Sequence, residues 1–145
     1  MATAARIDPF RNFNFLVEIE GIAQASFIEC SGLDATTEVI ETREGGNNTT
    51  VSKLPGKTTY TDITLKWGAN PSVELWQWRA DVISGTIKRR NGSIVLYDLA
   101  NKAEVARWNF FNAWPSKWDG PSLNAKGNDI AIETLVLAHE GITRV

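Results

Sequence analysis

The stretch Asn12-Phe-Asn-Phe-Leu-Val-Glu-Ile-Glu20 decides the fold class. Phe13, Phe15, Val17 and Ile19 alternate with Asn14, Leu16, Glu18 and Glu20. A period of two sends successive side chains to opposite faces of a strand, one apolar and one largely wet. Val (9), Ile (12), Thr (13), Phe (6), Trp (6) and Tyr (2) extend the same bias, supplying 48 of 145 residues. Those side chains suit a pleated, half-buried surface better than a helix.

Working outward, Gly21 allows a turn, Ala25–Glu29 reads as a second strand, and Gly32 breaks that run. Thr36–Glu44 is a third strand, but each of its faces carries both a charge and an aliphatic residue. A strand with one dry and one wet face would not look like this, so it calls for a partner subunit. Gly45-Gly46-Asn47-Asn48 tolerates positive φ, and Pro55-Gly56 fits the centre of a type II turn. Lys57–Trp67 follows as a fourth strand, with Tyr60, Asp62, Thr64 and Lys66 forming a continuous polar face.

Asn70-Pro71 is a helix start and Gly85 a stop, which predicts a helix over Pro71–Ser84. Leu75, Trp78 and Val82 cluster on one arc, flanked by Trp76 and Ile83; Glu74, Gln77, Asp81 and Ser84 take the other. Arg79 falls inside the apolar arc, where its stem would pack and its head reach water. Strands are then expected at Gly92–Asp98, Glu104–Trp114 and Ile130–Glu140, with a loop from Pro115 to Asp129. The sum is a single unit over residues 1–145: mainly β, a small antiparallel barrel or sandwich of about seven strands with one amphipathic helix.

Composition narrows the function. Hydrophobic residues are 43% and charged ones 22%, close to globular averages, so wholesale disorder is excluded. A net charge of −2 argues against a protein whose main task is gripping nucleic acid. The longest stretch without a charged side chain is Trp108–Ser116, far short of the roughly twenty residues a membrane-spanning helix requires. Met1–Pro9 has no apolar core, so no secretory signal is expected.

Catalytic chemistry finds little to use. His139 is the single histidine and sits in an alternating strand, where a structural role is expected over a triad. Cys30 has no partner cysteine, and with one of each type no zinc signature can be written. Gly45-Gly46 lacks the Lys-Ser/Thr of a phosphate loop. Lys88-Arg89-Arg90 reads as a solvated turn. Six tryptophans allow a small carbohydrate- or ligand-binding module, although core packing accounts for most of them. No cofactor and no metal are expected, and no enzyme.

Several blocks carry a family resemblance. Phe13–Gly21 and Phe27–Leu33, then Arg43–Asn48, Lys53–Lys57 and Ile63–Gly68, and finally Trp108–Pro115 and Glu133–Gly141 occur in order and spacing. Together they resemble the tail tube proteins of contractile phages and the inner-tube proteins of phage-derived extracellular injection systems. The resemblance implies a hexameric ring whose subunits join their sheets into one ring-wide barrel, with rings stacked inside a contractile sheath. A 24-stranded barrel of that kind would leave a channel of roughly 40 Å. It implies as partners further copies of the chain, a sheath protein, baseplate or spike and terminator proteins, and DNA or effector cargo in the lumen. It also implies assembly in the bacterial cytoplasm and no membrane insertion by this chain.

Three sets of residues are then expected to matter. Arg43, Glu44, Gly45, Gly46, Asn47, Asn48, Lys53, Leu54 and Lys57 belong to an inter-subunit arm over residues 43–57, and residues 1–10 form an N-terminal arm. Asp62, Thr64 and Lys66 are expected to line the lumen, with Glu41, Glu18 and Glu133 as additions. Glu74, Gln77 and Asp81 are expected to face the sheath.

Overall fold

The alternation read at Phe15–Ile19 is a strand, β1, in the computed structural model, which describes residues 14–22, 27–43, 50–98 and 103–145. The expected N-terminal arm, Ala25 and Ser26 of the expected second strand, and Glu44 to Thr49 of the inter-subunit arm lie outside those residues. After β1 come β2 (Glu29–Ser31), β3 (Ala35–Thr42), β4 (Ser52–Tyr60), β5 (Ile63–Gly68), helix α1 (Glu74–Ile83), β6 (Arg90–Tyr97), β7 (Glu104–Asp119), β8 (Ile132–Ala138) and β9 (Gly141–Arg144). The fold is mainly β and antiparallel, as expected, with nine strands among the described residues.

Seven strands form one sheet in the order β1-β6-β7-β8-β5-β2, with β9 added on β7. The sheet folds over on itself because β7 serves both halves. Its first part pairs with β6 and β9, and its last part, Trp114–Asp119, pairs with β8. The change of partner falls at Asn112, whose φ is 54°, a conformation Asn tolerates better than most residues. Asn112 is held there by its backbone N–H on Asn91 Oδ1 (3.0 Å) and its side-chain amide on Glu140 Oε2 (2.8 Å). The irregularity resets the alternation, so Phe110 and Ala113, three apart, are both fully buried.

The inner faces of the two halves meet in one core: Val17, Ile19, Ile94, Phe110 and Ala113 against Ile63, Leu65, Trp67, Leu135 and Leu137. The helix adds Leu75 and Trp78 to the same core. It lies along β7, where Arg79 Nη1 donates to Pro115 O (3.2 Å) and the Trp76 and Trp118 rings meet at 4.6 Å. The Arg79 head is therefore tied to a strand rather than left to water.

Four sequence expectations need correction. Lys57–Trp67 is two strands, broken at Thr61-Asp62 where the chain passes from a hairpin to the main sheet. Pro55-Gly56 is no turn; both lie inside β4, and proline is tolerated because β3 and β4 pair only with each other among the described residues. Pro115–Asp119 is not loop but the end of β7, and Ile130–Glu140 yields β8, with a further strand, β9, just beyond it. The helix begins at Glu74 because Asn70 Oδ1 takes the Ser72 N–H at 2.9 Å, closing a local turn instead of capping. Its end is as expected, with Gly85 at φ +95°.

Candidate functional site

Two features lack the cover that a finished fold gives its strands. The first is the hairpin β3–β4. Every residue of β3 is exposed, and in β4 all but Gly56 are exposed. Its register runs from Ala35 opposite Tyr60 to Thr42 opposite Ser52. Ile40 lies opposite Leu54, and Val39 opposite Pro55. Those pairs are adjacent along the strands and so occupy opposite faces. Each face therefore shows an apolar pair beside charge, Glu41 being opposite Lys53. A two-stranded ribbon with no core of its own is marginal in water. Arg43, Lys53, Leu54 and Lys57, expected in the arm, lie at its far end or along β4, all exposed.

The second is an open seam. The sheet path ends at β1 on one side and β2 on the other, and among the described residues these ends do not pair. Between them runs a groove of about 560 Å³, lined by Phe15, Phe27, Cys30, Leu33, Leu96 and Trp108 among others. Burial pushes the Cys30 thiol up to about 12, with the Glu29 carboxylate adding to it. Such a thiol stays protonated and unreactive.

The expected lumen residues do not share one wall. Thr64 and Lys66 lie on the outer face of the β5 half, with Asp62 exposed just before them. Register adds neighbours that the sequence alone did not reveal: Glu29, Lys66, Thr134 and Asp119 form one row, and Ser31, Thr64, Val136 and Lys117 the next. Lys66 pairs with Glu29 (3.3 Å) and Lys117 with Asp119 (3.6 Å), so the wall is charge-balanced. Glu133 is opposite Trp67 and hence on the other face of that sheet. Glu18 lies on β1 in the other half, paired with Arg107 at 3.6 Å. Glu41 belongs to the hairpin. Strand pairings this far apart in sequence leave no local signal.

Of the helix residues, Glu74 and Gln77 are exposed. Asp81 is already engaged, accepting from Gln77 Nε2 (3.2 Å) and pairing with Lys88 (3.6 Å). The exposed surface of the helix also carries Val73, Trp76 and Ile83, which the acidic reading overlooked. The basic triplet is dispersed: Lys88 on Asp81, Arg89 near Glu140 (3.9 Å), and Arg90 over the Trp78 ring with Nη1 on Glu20 O (2.7 Å). His139 Nε2 lies 2.8 Å from Thr61 O and Nδ1 3.2 Å from Gly141 O. Its ring nitrogens are thus occupied with backbone. Among the described residues no group of three His, Cys, Asp or Glu could hold a metal ion, and no helix is long and apolar enough to cross a membrane.

Residues 11–143 match the family described as T4-like virus tail tube protein gp19. The chain is similar to one in the sheath/tube terminator, in the extended state, of the extracellular contractile injection system PVC: 30% identity, 97% of this chain and 99% of that one, TM-score 0.87. It is similar to one in the tube-terminating cap of the anti-feeding prophage: 28% identity, 99% and 95% coverage, TM-score 0.88. Likeness to Hcp1 from Flavobacterium johnsoniae (15% identity, 91% and 94% coverage, TM-score 0.56) concerns the fold alone. No curated protein matches.

Proposed function

The chain belongs to the tail tube protein family, a structural rather than enzymatic family, and on that premise we propose that six copies close into a ring and that rings stack into the inner tube of a contractile injection particle. The observation that carries the reading is the β3–β4 hairpin, which shows an apolar pair on each face and is exposed at every residue but Gly56. In a ring each arm gains a neighbour, and the unpaired sheet ends gain strands. Repetition around the ring and along the tube multiplies weak contacts through effective concentration.

The outer face holding Asp62, Thr64 and Lys66 lines the conduit in this proposal. Its paired charges and hydroxyls offer cargo no broad apolar patch on which to stick. Glu74, Gln77 and the helix around them face a sheath, and baseplate and terminator proteins cap the two ends. The cargo is DNA or a folded effector, and the particle works outside the cell that built it. The relatives in sheath, terminator and cap assemblies support this arrangement.

The test is removal of residues 46–54, followed by circular dichroism and negative-stain microscopy at rising concentration. A folded variant that forms no tubes is expected. Normal tubes from the deletion would reduce the arm to a surface loop and overturn its role in assembly.

A further inference from the structure

The arm leaves the body through two short crossings, Ser31–Ala35 and Tyr60–Ile63, and their surroundings are unusually specific. Gly32 sits at φ +92°, and a Cβ there would lie 2.0 Å from Asp62 O, so the two crossings touch backbone to backbone. Thr61 is the junction residue between β4 and β5. Its N–H donates to Asp34 O at 3.1 Å, which binds the crossings to each other. Its carbonyl, which has turned out of the strand ladder, meets His139 Nε2 at 2.8 Å. The same ring presents Nδ1 to Gly141 O at 3.2 Å, at the start of β9, and lies 5.9 Å from the Tyr60 ring at 51°.

One side chain thus joins the root of the arm to the β8–β9 corner. Both partners are carbonyl oxygens, which only accept, so a hydrogen bond to either has the ring N–H as donor; the shorter contact is the one from Nε2 to Thr61 O. We propose that His139 is a positioning residue that sets the direction in which the arm leaves the body, through this hydrogen bond to the Thr61 carbonyl. Without it the exposed carbonyl turns to water, and the junction loses the tie that fixes its rotation. The arm amplifies any such rotation. Nine residues of strand span about 30 Å, so a 10° tilt at the root displaces the tip by about 5 Å. The consequence for assembly rests on the reading of the arm as a subunit-joining element; the geometry of the root does not.

The experiment uses the full chain with Cys30→Ser and spin labels at Lys53→Cys on the arm and Lys117→Cys on β7, measured by pulsed electron resonance below the concentration at which tubes form. His139→Phe keeps a ring against Tyr60 but has no donor. His139→Gln places an amide N–H near the position of Nε2. The Phe variant is expected to shift or broaden the distance distribution by about 5 Å, and the Gln variant to restore it. The tube-forming concentration should rise about three- to tenfold in the Phe variant, the value of one net hydrogen bond, and recover in the Gln variant. If His139→Phe does not fold, His139→Asn, whose amide reaches only the Gly141 side, takes its place with the same expectation. Distances unchanged in the donor-less variant overturn the proposal, as does rescue by Phe but not Gln, which would assign the effect to ring packing. Altered distances with unaltered tubes would support the latch and remove the arm from subunit joining.

Discussion

Replacing Val39, Ile40 and Leu54 together by Ser separates an arm that serves the chain's own fold from one that serves its neighbours. In the single chain these side chains are 59%, 45% and 49% exposed. Full burial of an aliphatic side chain is worth about 1.5–3 kcal/mol, so covering the remaining half of each supplies about 0.7–1.5 kcal/mol. Three of them give about 2–4 kcal/mol per subunit contact, a factor of roughly 30 to 1,000 in association. The free chain should lose far less, because the substitutions open no cavity in the shared core and exposed positions usually change stability by about 0.5 kcal/mol or less. Urea unfolding of the unassembled protein measures the first quantity. Sedimentation across a concentration series measures the second. A midpoint that falls as far as for a core truncation such as Leu135→Ala, with tubes forming at the parent concentration, would refute the reasoning.

Other expectations follow from single features. Gly32→Ala forces a Cβ against Asp62 O at positive φ and should cost more than about 2 kcal/mol by denaturant unfolding; a neutral result would mean that the arm root is not tightly built. The Cys30 thiol rises from 9.0 to about 12 on folding, so between those values the unfolded chain binds fewer protons and stability falls as pH rises. The slope is about 1.4 kcal/mol per pH unit, and Cys30→Ser should remove that component; parallel pH–stability curves for the two proteins would show the thiol to be solvent-like. Glu74→Lys with Asp81→Lys should leave tubes intact, since the part-exposed Asp81–Lys88 and Asp81–Gln77 contacts are together worth about 1–2 kcal/mol and lie outside the shared core. Sheath assembly around those tubes should be impaired, and normally sheathed particles would place the sheath contact elsewhere.

What the residues determine on their own is whatever is written in local periodicity. The alternation at Phe15–Ile19 and Ile63–Trp67, and the helical arc of Leu75 and Trp78, each place their apolar side inward by geometry alone. The mixed faces of Thr36–Thr42 likewise announced a strand with no dry side of its own, and β3 is exposed along its whole length. Tertiary structure decided what depends on partners distant in the chain. Period-two reading loses its phase at Asn112, because an irregularity there moves Phe110 and Ala113 to the same side. Asn70 looked like a cap, yet its side chain satisfies Ser72 instead. Glu133 and Thr64 read as companions, but the β5–β8 register sets them on opposite faces. His139 offered no signal of its contact with Thr61, 78 residues away. Periodicity is a property of neighbours along the chain, whereas register, bulges and the outlet of the arm are fixed by hydrogen bonds between segments far apart in sequence.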